Sequence, residues 1–321
     1  MGRKPLNASP EWTGEVRTAE KVALALQMKM LALQGEFLTD DGSGVDYKAL
    51  QLSDMFAEYK DMARELQKVD LSGLETDERK CFFLNLYNAL IIHGISARAD
   101  WVNAPPSSPL DIPDFWSDTS YQISGYSFTL DEMEHGILRG NRPHPAPGRK
   151  LMFKDEDPRL KLIVPLDPRI HFALVCGAKS CPAIRVYKVT NLERGLQMAA
   201  QSFVDQEMTV DSKNKSVSMS KILDWYSLDF GHTQVEVLEK MVSYMSEGPS
   251  KAALMAIIED DKDDYFFLAR FSQSWRYFSR WILRTQNLLP GPISVNFKDY
   301  NWALNKKDMS EQRGLSMDGE K

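Results

Sequence analysis

The sequence predicts an α+β fold that is mostly helical, with short antiparallel strands and hairpins packed against a buried central helix. Apolar residues recur at helical spacing over most of the 321 residues. Segments that alternate between apolar and polar residues are short and scattered, and no regular succession of strand and helix indicates a parallel sheet. Hydrophobic residues make up 43% of the chain and charged residues 26%, which is typical of a globular protein with a sizeable core.

The first third of the chain is predicted to be helical. Apolar side chains at helical spacing predict a long amphipathic helix over residues 13–37 and helical structure over 46–69. Thr76 is the predicted N-cap of a third helix, which continues to about residue 96. Because this third segment is apolar on nearly all sides, we expect it to be the buried central helix.

The elements that follow are shorter. Ser124-Gly125 lies between alternating residues and predicts a hairpin over 121–128. Thr129 and Glu132 have the spacing of a capping box for a helix over 130–138. The other predicted elements are a strand over 171–175, a helix over 190–206, a hairpin over 209–219, helices over 221–228, 235–246 and 251–258, an aromatic segment over 265–281 that fits strand or helix, and a strand over 293–297.

These elements predict one core domain with two flanking regions. Residues 1–74 are expected to form an N-terminal helical region packed on the core, and residues 75–305 the core itself. Residues 306–321 have balanced charge and no apolar periodicity, so we expect a disordered tail.

Charge and apolar patterning exclude several classes of protein. Lys and Arg total 39 against 45 Asp and Glu, for a net charge of -6, and no basic stripe is present, so no nucleic-acid partner is predicted. No apolar run approaches the ~20 residues of a membrane span. The first residues lack the hydrophobic segment of a secretory signal. Three cysteines are typical of a reducing compartment, so we expect a cytoplasmic location.

Two asparagines stand out in the predicted central helix. Asn85 and Asn88 are three residues apart and share a helix face. A buried amide without partners costs about 1–3 kcal/mol, so both side chains must be hydrogen-bonded or line a cavity. They either anchor loops to the core or form the wall of a cleft, and both are candidate binding residues.

A second polar segment lies in the helix over 130–138 and just after it. Asp131, His135 and Arg139 are spaced by four and share a face, as ordinary pairs on a solvated helix also would. Glu134 is adjacent to His135 and points in another direction, so a regular helix cannot present both to one metal ion, and no HExxH pattern occurs. We predict no metal site and no cofactor. Glu134 and Arg139 are candidate binding residues.

The third segment, residues 167–182, combines a histidine with two cysteines. His171 and Cys176 are five apart, so in a straight strand they face opposite sides and Cys176 fits a small core residue. Cys181 lies beyond the turn, where it can fold back towards His171 or remain structural. A thiolate nucleophile needs a nearby cation or histidine, and Lys179 is close in sequence.

Other readings of this segment have less support. A zinc site of His171, Cys176 and Cys181 lacks the CxxC spacing of a knuckle. A Cys176–Cys181 disulfide would be a redox device, but nothing else in the sequence supports it. Arg169 with Arg139 forms only a weak candidate clamp for an anion.

Four stretches together resemble the family known as domain of unknown function 547. They are FFLNLYNALIIHGI (82–95), LDEMEHGILRG (130–140), DPRIHFALVCGAKSCPAIRVY (167–187) and, more loosely, VNFKDYNWALN (295–305). Met133 replaces the usual aliphatic residue, and Asn301 replaces the aspartate expected in Tyr-Asp-Trp. The resemblance implies a shared fold and a shared polar site, without an established reaction.

Two hypotheses of function follow. In the first, the chain is a binding or scaffold module with an internal polar network, whose unknown protein or small-molecule partner would dock near the aromatic segment around residues 275–281. In the second, it is a thiol-dependent hydrolase or acyl transferase with Cys181 as the nucleophile and His171 or His135 as the base. Asn85, Asn88, Glu134, Arg139, Arg169 and Lys179 are the candidate binding residues.

Overall fold

The computed structural model describes residues 4–269, except 41, 43, 147 and 149, together with residues 293–306. The described residues form two compact units, one within Met1–Leu196 and Asn301–Lys321 and the other within Gln197–Tyr300. Most of the predicted aromatic segment and nearly all of the predicted tail lie outside the described residues. Among the helices that the structure describes, none combines the length and apolar character that a bilayer crossing requires.

The N-terminal part of the first unit is helical, as predicted, but with more breaks. The predicted helix over 13–37 begins later, after Thr18. The predicted helical block over 46–69 is interrupted at Ser53, whose backbone is extended and whose side chain accepts a hydrogen bond from the amide of Phe56. The elements are α1 (Ala19–Glu36), α2 (Tyr47–Leu52), α3 (Asp54–Ala63) and a 3-10 helix (Arg64–Lys68).

The central helix is α4 (Thr76–Arg98), and it confirms the prediction of a buried apolar helix. Every residue from Cys81 to Ser96 is buried, and α1 and α2 both pack against it. The N-cap is Glu75 rather than the predicted Thr76, and its amide donates to the Glu78 carboxylate at 2.8 Å. The helix therefore supplies one scaffold for side chains from several loops.

The predicted hairpin is present and packs on α4. Ser124 and Gly125 both have positive φ, 51° and 84°, as a tight two-residue hairpin turn requires. Phe128 lies against Phe83 of α4, with ring centroids 5.6 Å apart. The strands are β1 (Ser120–Ile123) and β2 (Tyr126–Thr129), and the first unit also contains the short helix α5 (Phe115–Asp118) and 3-10 helices over Pro109–Asp111, Pro158–Leu162 and Val189–Asn191.

The predicted strand over 171–175 is wrong. Residues Pro168–Phe172 form a 3-10 helix. The Asp167 carboxylate accepts a hydrogen bond from the amide of Arg169 at 3.1 Å, and the fixed φ of proline favours a helical first turn. Local turn chemistry therefore overrides the apolar run, which a buried turn satisfies as well as a strand does.

The second unit contains the other predicted hairpin and the later helices. The pair β3–β4 is antiparallel, as predicted, and β5 adds to β4 in parallel, within a fold that is mostly helical α+β as predicted. Helix α6 (Leu192–Glu207) begins in the first unit and ends in the second. The elements that follow are β3 (Thr209–Asp211), β4 (Ser216–Ser220), α7 (Ile222–Trp225), α8 (Ser227–Phe230), α9 (Gln234–Val242), α10 (Pro249–Ala269) and β5 (Ser294–Lys298).

Candidate functional site

A buried π-helix forms the first part of the candidate site. The predicted capping box is present: the amide of Thr129 donates to the Glu132 carboxylate at 2.9 Å, and the amide of Glu132 donates to Thr129 Oγ1 at 3.1 Å. From Glu132 to Leu138 the helix widens to π geometry, and the amide of Arg139 reaches back five residues to the Glu134 carbonyl at 2.8 Å. Such wide turns are frequent at functional sites.

Gly136 lets a loop pack closely on this π-helix. A Cβ at Gly136 would lie 2.5 Å from the ring of Phe153, so only glycine leaves room for that ring. Asn141 holds the same loop, because its side chain donates to the Phe153 carbonyl at 2.9 Å and accepts from the Phe153 amide at 3.0 Å. The loop between these residues carries His144 to the π-helix.

Glu134, His135 and Arg139 of the π-helix segment are buried and paired. Tyr87 of α4 donates its hydroxyl to Glu134 Oε2 at 2.9 Å. Arg139 donates from one guanidinium nitrogen to His135 Nδ1 at 2.9 Å, and also to the Pro143 carbonyl. The rings of His135 and His144 are 4.5 Å apart in an edge-to-face arrangement. We call Tyr87, Glu134, His135, Arg139 and His144, with His171 (below), the histidine cluster.

The contact with Arg139 determines the tautomer of His135. A guanidinium has no acceptor atom, so Nδ1 of His135 accepts and the proton of the neutral ring lies on Nε2. Burial lowers the pKa of His135 to about 4; the nearby carboxylate of Glu134 opposes this shift, and the guanidinium of Arg139 adds to it. In this arrangement His135 offers an N–H donor at Nε2, which is not the base that the hydrolase hypothesis requires.

His171 belongs to the same cluster, because it lies near enough to His135 to interact with it electrostatically. It is buried in the 3-10 helix that replaces the predicted strand. The strand argument that separated His171 from Cys176 therefore does not apply to this backbone.

One trio in the described part of the chain has metal-ligand geometry. Ligand atoms of Asp131, His135 and His144 lie within 4.8 Å of one another. A metal ion on His135 would need a free ring nitrogen, whereas Nδ1 accepts from Arg139 and Nε2 carries the proton. The trio therefore fits a metal ion poorly. Within the described residues, His171, Cys176 and Cys181 form no such group.

Asn85 and Asn88 bind backbone groups on opposite sides of a bend in the chain. Asn85 donates to the Tyr187 carbonyl at 2.7 Å and accepts from the Tyr187 amide at 2.9 Å. Asn88 donates to the Ala173 carbonyl at 2.9 Å and accepts from the Val175 amide at 3.0 Å. Both asparagines thus hold the two ends of the segment that carries the cysteines.

Arg169 is occupied by carboxylates. It forms two hydrogen bonds with the Asp167 side chain, at 2.8 and 2.9 Å, and two with Glu193, at 2.6 and 2.8 Å. These hydrogen bonds, from Glu193 first and then from Asp167, raise the pKa of Arg169. With both carboxylates in place, little positive charge remains for the anion clamp that Arg169 and Arg139 were predicted to form.

The second part of the candidate site is the cysteine loop, residues 176–181. The Sγ atoms of Cys176 and Cys181 are 2.7 Å apart, and the amide of Cys176 donates to Cys181 Sγ at 3.0 Å. Gly177 has φ of 80° and so starts the turn in a backbone region that favours glycine. The amide of Cys181 closes the turn on the Ala178 carbonyl at 3.1 Å. Both cysteines are half-buried.

A late segment of the chain, residues 301–305, holds the cysteine loop from outside. The amide of Lys179 donates to the Ala303 carbonyl at 2.8 Å, and the amide of Asn301 donates to Ser180 Oγ at 3.0 Å. Among the described residues, the Asn301 side chain accepts a hydrogen bond from the local Ala303 amide at 3.0 Å, which the oxygen of an aspartate would do equally well. The replacement of the family's aspartate is therefore compatible with this local fold.

A pocket of about 280 Å³ opens beside the cysteine loop. Asn305, one of its lining residues, accepts a hydrogen bond from the Tyr47 hydroxyl at 2.9 Å. Burial, and then the charge of Cys181, raise the pKa of Tyr47. The lining residues are Ile92, Val175, Gly177, Ala178, Lys179, Cys181, Pro182, Ala183, Ile184 and Asn305.

The predicted site residues thus fall into three places. Glu134, His135, Arg139 and His171 share the histidine cluster, and Cys181 and Lys179 line the pocket. Asn85 and Asn88 bind backbone groups of other segments, and Arg169 binds the carboxylates of Asp167 and Glu193. Sequence reasoning missed Tyr87, His144 and Asn305. Tyr87 had a signal, since it is a polar group beside Asn88 in an apolar helix, whereas His144 and Asn305 lie in segments without periodicity.

These features define an α+β domain in which a buried histidine cluster and a cysteine pocket are built on one central helix. Residues 71–204 match the family described as "Protein of unknown function, DUF547". The chain therefore contains a domain of this family, which confirms the resemblance seen in the sequence. The matched segment includes both asparagines, the π-helix and both cysteines of the loop. Comparisons with curated proteins and with solved structures found no match.

Proposed function

We propose that the chain is a binding module in which an internal polar network holds irregular loops around a small-molecule pocket. The observation that carries this proposal is the pocket of about 280 Å³ lined by Cys181 and Lys179. Small-molecule sites are concave and mostly apolar, with a few polar groups that orient the ligand. This pocket combines apolar side chains, among them Ile92 and Ile184, with the polar groups of Lys179 and Asn305.

The lining indicates the chemical class of the ligand. Ile92, Val175 and Ile184 supply apolar walls. Lys179 is exposed, and no salt bridge of its ammonium group occurs among the described residues. A small ligand with an apolar body and one anionic group would satisfy both features, because the cation and the walls recognise different ends of it.

The polar network supports a binding role over a catalytic one. The side-chain amides of Asn85 and Asn88 each form hydrogen bonds with two backbone groups. Neither side chain is therefore placed to orient a base or to polarise a carbonyl. His135 accepts from Arg139 instead of serving as a base. Asn85, Asn88 and His135 are therefore engaged in the internal polar network.

The proposal is tested by filling the pocket. Ala183 lines it and is exposed, so Ala183→Trp blocks the pocket without altering the core. With hexanoate as the probe, we expect saturable NMR shifts of the Lys179 and Ile184 amides in the wild type, and their loss in Ala183→Trp. Ala57→Trp, on an exposed face of α3, is the matched control. Equal shifts in the Ala183→Trp variant, or none in the wild type, would contradict the proposal.

A thiol-dependent hydrolase or acyl transferase is the second candidate, because Cys181 lines the pocket. Here Cys181 would be the nucleophile and His171, rather than His135, the base. With p-nitrophenyl acetate we would expect an acetylated Cys181, detected by mass spectrometry, and turnover lost in Cys181→Ser and His171→Gln. A Cys181→Ser protein with unchanged turnover would exclude this candidate.

We also propose a cytoplasmic location, which rests on the low cysteine content of the chain. Microscopy of the fluorescently tagged protein tests it, and a tagged protein found in a secretory compartment would contradict it.

A further inference from the structure

The two sulphur atoms of the cysteine loop are closer than packing alone requires. Cys176 Sγ and Cys181 Sγ are 2.7 Å apart, only about 0.7 Å more than a disulfide bond of ~2.05 Å. Both cysteines are half-buried, and Cys181 lines the pocket. Two cysteines five residues apart in sequence thus meet without any rearrangement of the loop.

The loop is built to hold this geometry. Gly177 turns the chain with a positive φ, and a side chain there would press against Ile95 of α4. Lys179 and Asn305 tie the loop to the segment 301–305 through backbone hydrogen bonds of 2.8 and 3.4 Å. Asn88 fixes the residue just before Cys176. The sulphur atoms are therefore brought together by contacts on three sides.

We propose that Cys176 and Cys181 form a redox-active dithiol that a low-molecular-weight disulfide oxidises. Cys181 is the attacking thiol because it lines the pocket, and the hydrogen bond from the Cys176 amide stabilises negative charge on its sulphur. Cys176 is the resolving thiol. This inference does not depend on the ligand proposed above, because the reaction involves only the loop and the oxidant.

The thiol–disulfide exchange has two steps. The Cys181 thiolate attacks one sulphur of the small disulfide, a mixed disulfide forms, and the first small thiolate leaves and takes up a proton. The Cys176 thiolate then attacks Cys181 Sγ, and the second small thiolate leaves and is protonated. The protein loses two electrons and two protons, and the small disulfide becomes two thiols.

Cys81 provides an internal control. It is 1% exposed on α4, and burial raises the pKa of its thiol to about 12. A buried, protonated thiol is a poor nucleophile, so Cys81 should remain reduced under conditions that oxidise the loop.

The test equilibrates the full chain with glutathione disulfide and maps the products by mass spectrometry after rapid alkylation. We expect wild-type protein lighter by two hydrogen atoms, with a peptide cross-link between Cys176 and Cys181 and with Cys81 alkylated only after unfolding. Cys176→Ser should instead accumulate glutathione on Cys181. Cys81→Ala should behave like the wild type.

Several results would overturn the proposal. They are wild-type protein whose two loop cysteines both stay alkylatable, glutathione on Cys181 with Cys176 free in the wild type, or disulfide-linked dimers in place of the internal bond. Glutathione on Cys176 in Cys181→Ser, with none on Cys181 in Cys176→Ser, would overturn the assignment of the attacking thiol. The wild-type measurement needs no variant to fold.

Discussion

The histidine cluster and the cysteine loop both pack against α4, yet their reactive groups differ in exposure to solvent. In the histidine cluster, Glu134, His135 and Arg139 are at most 8% exposed and bond to one another or to Tyr87. In the cysteine loop, both thiols are half-buried and Cys181 borders a pocket. The same helix thus supports one closed polar network and one open site.

Polar residues that cluster within apolar segments therefore do not by themselves identify a reactive site. A buried polar network is costly when any member lacks a partner, so every group in the histidine cluster is expected to affect stability. Substitutions at the pocket should change stability less and the reactivity of Cys181 more. Substitutions in the histidine cluster and at the pocket test this difference.

The largest expected effect is on the asparagine anchors beneath both regions. Asn85→Ala leaves the buried amide and carbonyl of Tyr187 without their partners, so we expect the free energy of unfolding to fall by about 2–4 kcal/mol. Urea denaturation measures it. Asn103→Ala removes an exposed amide that bonds only to Asp100 and is the matched control. An Asn85→Ala protein as stable as this control would refute the anchoring role.

The histidine cluster should make stability depend on pH. Burial lowers the pKa of His135 from 6.5 to about 4, so between these values the unfolded chain binds the proton and the folded chain does not. Stability therefore falls as pH decreases from about 6.5 to about 4, by up to about 1.4 kcal/mol per pH unit for one histidine.

Substitution of His135 tests this dependence. His135→Gln should reduce the slope of unfolding free energy against pH between pH 6 and pH 4.5, measured by urea denaturation at each pH. His232→Gln, at an exposed position, controls for the loss of an imidazole. Part of the slope should persist in His135→Gln, because burial also lowers the pKa of His93 to about 3. Equal slopes in both variants would show that His135 is not held neutral.

A smaller effect is expected at the hydroxyl that meets Glu134. Tyr87→Phe removes the hydrogen bond to Glu134 Oε2 with little change in volume, so we expect a loss of about 1–2 kcal/mol in thermal or urea unfolding. Tyr126→Phe, at an exposed position of β2, should change stability far less. A Tyr87→Phe protein with unchanged stability would contradict this prediction. Altered alkylation of Cys181 in that variant would show that the histidine cluster and the cysteine loop are coupled.

The smallest effect on stability is expected at the pocket. Lys179→Ala removes an exposed cation beside Cys181, so unfolding should change little. Alkylation of Cys181 by anionic iodoacetate should slow by about two- to fivefold, because a neighbouring charge in water contributes about 1 kcal/mol. The rate with neutral iodoacetamide is the control. A similar change with both reagents would mean that Lys179 acts by packing and not by charge.

Parts of this site could be predicted from local pattern. Thr129 and Glu132 predicted their capping box, Ser124-Gly125 predicted the hairpin turn, and the apolar residues around Asn85 and Asn88 predicted a buried helix. The prediction of a strand over 171–175 was wrong because an apolar run of that length fits a buried turn equally well, and the hydrogen bond that the Arg169 amide donates to Asp167 favoured the turn. The parallel pairing of β4 with β5 was not predicted, because residues far apart in sequence form it.

The amino-acid sequence determined which segments are helical, which residues are too polar for their surroundings, and the family to which residues 71–204 belong. Each of these follows from residue types at short, regular spacing. Only the tertiary structure decided that Asn85 and Asn88 bind backbone, that Arg139 fixes the tautomer of His135, and that Cys176 meets Cys181 beside a pocket. Those outcomes depend on distances between groups on separate loops, and no local pattern encodes the direction in which a buried side chain finds its partner.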